Sequence, residues 1–284
     1  MATKSGTLNV VGTAIQAAGQ LTVEARSAIA SADRVFYLIT DGLTLKYLSS
    51  LNSNLESLHS SFSSGRPRMD SFLEMVDRIL KAMTNGEAVF VALYGHPGVF
   101  AFPAHEAIRR ARAMGMYARM FPGVSAEDCL FANLDVDPAW AGCQSFEATD
   151  FLIFNRRFDA RSSLIIWQIG VIGDTSFQSG GYSYAVGLGV LQKRLEQFYR
   201  PDHKVIRYEA AHYPIYPHRA DTVRTADLAD AALTPESTLF VPPVETSVPD
   251  PKMLALLGVS DAVVHRVRVQ LLGAETVHAL VENV

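Results

Sequence analysis

The first half of the chain alternates short apolar runs with segments that have the period of an α-helix. Residues 69–83 carry apolar side chains three and four positions apart, which is typical of one helix face, and Asn85-Gly86 ends the pattern. Short continuous apolar runs predict buried strands instead. The predicted strands are 7–12, 34–39, 88–95 and 116–123, and the predicted helices are 22–32 with Thr22 as N-cap, 69–83, and 103–115. This alternation favours parallel strands that are joined by crossover helices.

The second half shows the same alternation of apolar runs and helix-period segments, with more interruptions. The predicted strands there are 151–154, 164–170, 204–210 and 237–243, and the predicted helices begin at Ser125 and span 187–200. A candidate domain boundary lies near Phe121–Pro122, and the composition of the sequence changes again after Pro243. We therefore expect an α/β domain at 1–121, a second α/β domain at 122–243, and a linker with a short apolar tail at 244–284.

Composition excludes several classes of protein. The chain has 284 residues, 49% of them hydrophobic and 19% charged, which is a soluble globular composition. Its formal net charge of −4 predicts no general attraction to nucleic acid. No apolar run reaches the roughly 18 residues of a membrane span, and the N-terminus lacks a secretory pattern. We expect a cytoplasmic protein with no membrane or nucleic-acid partner.

Metal ligation is also not expected. The two cysteines, Cys129 and Cys143, have no C-x-x-C partners and form no disulfide framework. His96 and His105 are separated by a turn and a helix, and the other histidine pair only flanks the YPIYP segment, at His212 and His218. The sequence therefore predicts no catalytic metal.

The glycine-containing turns are the best candidates for a binding site. The stretch VVGTAIQAAGQLT lacks the second and third glycines of a dinucleotide-binding fingerprint, so it indicates a plain strand-to-helix turn. By contrast, Tyr94-Gly95-His96-Pro97-Gly98 ends the apolar strand 88–95, and ligands of α/β sheets bind beyond such strand ends. MFPGVSAEDC, 120–129, has the same arrangement with Ser125 near a helix start. The two turns predict a shared pocket.

Several phrases of the sequence carry a family resemblance. They are VVGTAIQAAGQLTVEARSAI, YGHPGVFAFPAHEAI, FPGVSAEDCLFANLDVDP, GCQSFEATDFLIF and TLFVPP. Together, over about residues 7–243, they resemble the tetrapyrrole-methylase (class III) fold of S-adenosylmethionine (SAM) methyltransferases. More narrowly, they resemble the borosin branch, whose enzymes methylate backbone amide nitrogens of a ribosomal peptide. The resemblance implies a two-domain α/β fold with mixed sheets and flanking helices, SAM in the interdomain cleft, and a tightly interlocked homodimer.

The resemblance also assigns residues to the cofactor. Positions of this chain that match SAM contacts of the family fall mostly at strand ends or in the turns that follow them. These positions are His96, Val99, Phe100, Ser125, Ala126, Gln168, Tyr208, Ala210, Ser237 and Thr238. The product formed from SAM would be S-adenosylhomocysteine.

An amide nitrogen is a poor nucleophile because its lone pair is delocalised into the carbonyl group. Methyl transfer therefore needs a donor or cation at the carbonyl oxygen and a base near the nitrogen. Arg68 offers a fixed positive fork and Tyr94 a hydroxyl donor. In the family, an Arg and a Tyr at the matching places face the substrate amide.

The chain departs from the borosin pattern in one segment. Borosin enzymes carry several tyrosines in the region matching LHSSFSSGRPRMDSF, where this chain has His59, Phe62 and Phe72. One interpretation is that His59 replaces a tyrosine as the base, because imidazole titrates near neutral pH. The other is that the protein is slow, altered in substrate, or inactive while still binding SAM.

Fused members of the family carry a helper domain and the peptide that they methylate, and residues 244–284 are too short for both. The expectation is a split system, in which the enzyme methylates a separate precursor peptide and forms a homodimer or a heterotetramer with it. Two alternatives stay open. One is a class III methyltransferase acting on a small molecule such as a tetrapyrrole, and the other is a catalytically silent SAM-binding partner subunit.

Overall fold

The computed structural model describes residues 6–16, 18–178, 185–230, 232–244 and 248–272. The first half forms a five-stranded, wholly parallel sheet in the order β3-β2-β4-β1-β5. Its strands are β1 (Thr7–Gly12), β2 (Arg34–Leu38), β3 (Leu55–Ser57), β4 (Ala88–Leu93) and β5 (Ala118–Met120). The strands predicted at 7–12, 34–39, 88–95 and 116–123 are confirmed, as is their parallel pairing.

Four helices cover the two faces of this sheet. They are α1 (Val23–Ala30), α2 (Gly42–Leu51), α3 (Arg68–Thr84) and α4 (Phe102–Ala113). The apolar stripe of α3, with Met75 and Ile79 fully buried, packs together with α4 on one face. Ile29 of α1 and Leu48 of α2 belong to the cluster on the other face. Both faces are thus covered, which explains why β4 is apolar throughout.

The second half forms another five-stranded sheet, in the order β6-β7-β10-β8-β9. Its strands are β6 (Cys143–Glu147), β7 (Ser163–Trp167), β8 (Lys204–Glu209), β9 (Arg219–Arg224) and β10 (Thr238–Val241). Only β6 and β7 pair in parallel, whereas β10 is antiparallel to β7 and β8, and β9 is antiparallel to β8. The expected mixed character therefore belongs to this sheet alone.

Helices flank the second sheet and follow it. They are α5 (Ala126–Asn133), α6 (Pro138–Ala141), α7 (Ala148–Ile153), α8 (Ala185–Leu195), α9 (Pro251–Leu257) and α10 (Asp261–Leu272). Ser125 caps α5 as predicted, in a reciprocal capping box with Asp128. Of the predicted apolar tail, residues 273–284 lie outside the described part of the chain.

The prediction of a strand at 151–154 is wrong, because these residues end helix α7 and leave it. The side chain of Glu147 accepts hydrogen bonds from the backbone of Thr149 at 3.0 Å and of Asp150 at 2.7 Å, and so caps the helix. Phe151 is then fully buried against its own sheet. A four-residue apolar run cannot distinguish a strand from one buried turn of helix.

Candidate functional site

The turns after β1 and β4 are locked to each other by backbone hydrogen bonds. Ala14 N–H donates to the Gly95 carbonyl at 3.2 Å, and Gly95 N–H donates to the Ala14 carbonyl at 3.0 Å. A Cβ on Gly12 would lie 2.2 Å from the Gly95 oxygen, so only glycine fits there. The first glycine turn therefore supports the second, which carries Tyr94 and His96.

A cavity of about 300 Å³ lies beside this second turn. Residues from both halves of the chain line it, and most of them are apolar. The lining residues are Leu38, Phe62, Arg68, Phe72, Leu93, Tyr94, Val99, Phe100, Ala101, Pro103, Gln168, Val171, Phe177 and Pro235. The structure thus brings five of the predicted site residues together, namely Arg68, Tyr94, Val99, Phe100 and Gln168.

Two of these lining residues have an unusual backbone conformation. Phe100 has a φ of 50° and Gln168 a φ of 58°, in the left-handed region that side chains other than glycine rarely adopt. Gln168 follows β7, where the prediction of a strand to residue 170 fails because the chain turns at this residue. Each such conformation costs about 1–3 kcal/mol and tends to occur at functional sites. Their presence on facing loops of one cavity favours a binding role.

Arg68 begins helix α3 and is held by the other half of the chain. Its Nε–H donates to the Ser176 carbonyl at 3.1 Å, and its backbone N–H donates to the Thr175 carbonyl at 3.0 Å. Two further backbone hydrogen bonds join Gly65 and Arg66 to Phe177. We call this pairing of residues 65–68 with 175–177 the seam. It fixes the guanidinium at the edge of the cavity, and no local sequence signal predicts it.

Aromatic rings form the apolar wall beneath the seam. Phe177 stacks on Phe62, with ring centroids 5.0 Å apart, and Phe62 meets Phe72 edge-on at 6.1 Å. Phe72 in turn stacks near Phe102 at 6.1 Å. Two of the positions where the resemblance expects tyrosine therefore contribute apolar surface in place of hydroxyl groups.

Tyr94 supplies a hydroxyl group at the cavity wall. Burial raises the pKa of this hydroxyl group, and the nearby acidic groups of Glu236, Cys129 and Asp41 raise it further. The phenol therefore stays protonated at neutral pH and is available as a hydrogen-bond donor. Its oxygen lies 3.3 Å from Nε2 of His212, a residue that the sequence indicated only as an unconvincing metal ligand.

His59 is not brought to the cavity. Its Nε2–H donates to the Ile39 carbonyl at 3.1 Å, and its ring centroid lies 6.4 Å from that of Phe62. The residue is not among those that line the cavity. The geometry therefore gives His59 a structural contact, and no described contact joins it to Arg68 or Tyr94.

The remaining predicted cofactor residues are not among those that line the cavity. Nδ1 of His96 accepts the Gly98 N–H at 3.0 Å, which holds the turn. The Tyr208 hydroxyl donates to Asn133 at 2.8 Å, and Ser237 donates to Glu209. Thr238 is buried, Ser125 caps α5, and Ala126 and Ala210 pack on the sheet beside Trp167. Phe100 meets Trp167 at 5.9 Å, so this cluster adjoins the cavity wall.

Within the described ranges, no three His, Cys, Asp or Glu side chains form a group that could hold a metal ion. None of the helices in the described part of the chain is long and apolar enough to cross a bilayer.

The structure thus combines a parallel sheet and a mixed sheet, with one cavity lined by residues from both halves of the chain, and it belongs to the α/β class. The fold is similar to the crystal structure of uroporphyrin-III-C-methyltransferase from Thermus thermophilus, with a TM-score of 0.61. That likeness covers 84% of this chain and 93% of that one, and at 18% identity it shows the fold alone. Residues 7–212 match the family model of the Tetrapyrrole (Corrin/Porphyrin) Methylases. The chain belongs to this family.

Curated relatives within the family confirm the resemblance to the borosin branch. The chain is 41% identical over 245 residues to the methyltransferase/ribosomally synthesized cyclic peptide dendrothelin A precursor of Dendrothele bispora, covering 85% of this chain and 58% of that protein. It is 38% identical to the corresponding omphalotin A precursor of Omphalotus olearius, with the same coverage. A type III borosin cyclic peptide precursor of Anomoporia bombycina is 39% identical over 91% of this chain and 30% of its own length. The chain thus spans less than two thirds of these relatives.

Proposed function

We propose that this chain is a SAM-dependent methyltransferase that methylates backbone amide nitrogens of a ribosomally made precursor peptide. The observation that carries the proposal is that Arg68 and Tyr94 line one cavity together with Val99, Phe100 and Gln168. The printed names of the relatives, which join a methyltransferase to a ribosomal peptide precursor, support the peptide as substrate.

The residues at the cavity fit SAM as the donor. Val99 and Phe100 offer apolar surface, Gln168 offers an amide, and the left-handed backbone of Phe100 and Gln168 shapes two facing loops. We propose that these three residues hold the donor. When bound, SAM supplies a methyl group on a sulfonium, which is already activated for transfer. Contacts from His96, Ser125, Ala126, Tyr208, Ala210, Ser237 and Thr238 stay a prediction.

The chain's own contribution is to make the amide reactive. Arg68 can donate to the amide oxygen, where negative charge develops as the nitrogen loses its proton, and the protonated Tyr94 places a second hydrogen-bond donor, its hydroxyl group, at the cavity wall. The seam fixes Arg68 before the substrate arrives, so little reorganisation is needed. The apolar wall of Phe62, Phe72 and Phe177 limits water and strengthens both donors.

Co-expression of the chain with a candidate precursor peptide tests the proposal. Tandem mass spectrometry of the encoded peptide should show methyl groups on backbone amides. Tyr94→Phe should abolish them, whereas Tyr117→Phe, at a tyrosine that is 57% exposed, should not. Methylated pyrroles with an untouched peptide would overturn the proposal in favour of the small-molecule alternative.

The expectation of a separate precursor needs its own comparison, because the relatives are named as methyltransferase and precursor together. The peptide is supplied once as a separate molecule and once appended to the chain. Methylation of the separate peptide supports the split system, and methylation of the appended form alone would overturn it. The expected homodimer, its heterotetramer with the precursor, and the cytoplasmic location stay predictions.

A second candidate is a SAM-binding subunit that transfers no methyl group. It is favoured by phenylalanine at positions 62 and 72 and by the contact of His59 with a backbone carbonyl, which leave few hydroxyl groups at the cavity. Calorimetry that detects SAM binding, with no methylated product from any substrate offered, would favour this candidate over the first.

A further inference from the structure

None of the described residues that line the cavity is a side chain that ordinarily takes a proton. Among the described residues that line it, there is no Asp, Glu, His, Cys or Lys. A guanidinium group has no acceptor atom, and the Tyr94 phenol is protonated at neutral pH. The substrate nitrogen nevertheless has to lose its proton, because the product is a neutral N-methylated amide. An acceptor outside this set can be reached through a lining residue that carries a hydroxyl group.

Tyr94 provides such a connection. Its ring lines the cavity, while its hydroxyl oxygen lies 3.3 Å from Nε2 of His212. The two ring centroids are 5.6 Å apart. His212 is exposed and does not line the cavity, so the pair leads from the cavity wall to solvent. A proton that arrives at His212 can be released to water.

The segment that carries His212 is anchored on the first half of the chain. The neighbouring Tyr213 donates its hydroxyl hydrogen to Oδ1 of Asp41 at 2.9 Å, and Asp41 caps helix α2. Pro214 follows and restricts the backbone. His212 is therefore held beside Tyr94 by a contact that does not involve the cavity.

We propose that His212 accepts, through the Tyr94 hydroxyl, the proton that the substrate amide nitrogen loses. The proposal rests on the proposed function. The amide N–H bond breaks as a new O–H bond forms on Tyr94, and the original Tyr94 O–H bond breaks as an N–H bond forms on Nε2 of His212. One positive charge leaves the methyl donor and one appears on the imidazolium, so charge balances. Arg68 stays on the amide oxygen throughout.

Several charged and titratable groups surround the pair of Tyr94 and His212. Asp41, Glu236 and Cys129 act electrostatically on Tyr94, and Tyr208 lies close enough for its own pKa to respond to Tyr94. Asp41 also binds the residue next to His212. Two carboxylates are thus close to the pair.

The first test needs neither donor nor peptide. Histidine side-chain NMR on the chain alone follows the His212 resonance, which is assigned by its absence in His212→Gln. Tyr94→Phe should shift the titration of this resonance and leave that of His265, an exposed residue of α10, unchanged. A His212 titration that is the same in Tyr94→Phe and in the wild type would overturn the proposal.

The second test measures peptide methylation against pH. The wild-type rate should rise with pH through the His212 titration, because only neutral imidazole accepts a proton. His212→Gln, which can form a hydrogen bond but cannot take the proton, should lose that dependence and about 10²-fold in rate at neutral pH, with unchanged SAM affinity. His265→Gln serves as the matched control. If His212 had only a structural role, the His212→Gln variant would keep the pH profile of the wild type, and the proposal would be overturned.

The outcomes separate the two proposals. An active wild type with an equally fast His212→Gln variant overturns the relay and leaves the proposed function standing. A wild type that methylates no peptide overturns both. A slow variant with a flat pH profile supports both.

Discussion

Replacing Arg68 by lysine keeps a positive charge at the cavity but removes the planar fork of donors. In the structure, the Nε–H of Arg68 donates to the Ser176 carbonyl at 3.1 Å, while the side chain lines the cavity. Lysine has no second donor group in a fixed geometry, so it cannot hold this carbonyl and a substrate oxygen in the same arrangement. We expect Arg68→Lys to be defective in methyl transfer although it preserves charge.

The expected size follows from comparing two effects. Loss of one preorganised donor to a developing oxyanion costs about 2.7–4 kcal/mol, or about 10²–10³ in rate. Loss of the half-buried hydrogen bond to Ser176 costs about 1 kcal/mol of folding free energy, which lowers Tm by about 2–4 °C. The catalytic effect is the larger one, so the folded and SAM-binding fraction should change little while turnover falls steeply.

The assay combines three measurements on Arg68→Lys and Arg68→Ala. Mass spectrometry gives the rate of peptide methylation, calorimetry gives SAM affinity, and thermal unfolding gives stability. Arg66→Ala is the matched control, because Arg66 is two residues away, pairs with Glu74 at 2.6 Å and does not line the cavity. Equal losses of turnover and SAM affinity in Arg68→Ala would show that Arg68 holds the donor, and would refute its assignment to the amide oxygen.

Three further predictions concern stability and assembly. In helix α8, Gly187→Ala should destabilise, because its Cβ would lie 2.6 Å from Ile172, whereas Gly189→Ala, with open space around it, should stabilise by about 0.5–1 kcal/mol in urea unfolding. Arg109 and Arg110 lower the pKa of Glu106 from 4.5 to about 2. Its contribution to stability is therefore complete above pH 4.5 and disappears as the pH falls towards 2, and Glu106→Gln should flatten the acid unfolding curve in that window. Light scattering should give about twice the 31.0 kDa of one chain if the expected homodimer forms, and a mass of one chain would contradict it.

The sequence predicts the first half of the fold better than the second. Buried parallel strands such as β4 are apolar throughout and thus easy to recognise, whereas β9, with the sequence RADTVR, is a polar edge strand whose side chains alternate in exposure. The sequence does not indicate strand β6 for a related reason. Most of its residues are half-buried, because β6 is the edge strand on the side of the sheet opposite β9. Residues 151–154 end a helix and do not form a strand, because Glu147 caps that helix from a position before the apolar run.

At the candidate site, residues that follow apolar strands could be predicted, and residues that depend on tertiary contacts could not. Tyr94 follows β4 directly, so its position at a strand end could be predicted from the sequence. Ser176 contributes only a backbone carbonyl, and Phe177 lies in a loop without periodicity, so neither gives a local signal. His212 becomes interesting only when the fold brings it to Tyr94 across 118 positions of sequence. His59, the more obvious histidine from the sequence, contacts a backbone carbonyl.

The seam also bears on how this architecture tolerates change and recombination. Its contacts on the side of residues 175–177 are main-chain groups, so substitutions at Thr175 and Ser176 can drift without removing the partners of Arg68. The number of residues between Gln168, which follows β7, and residues 175–177 matters more, because one inserted or deleted residue would shift every carbonyl group of the seam. Chimeras that exchange halves between relatives should therefore depend less on matching side chains than on keeping the length of this loop.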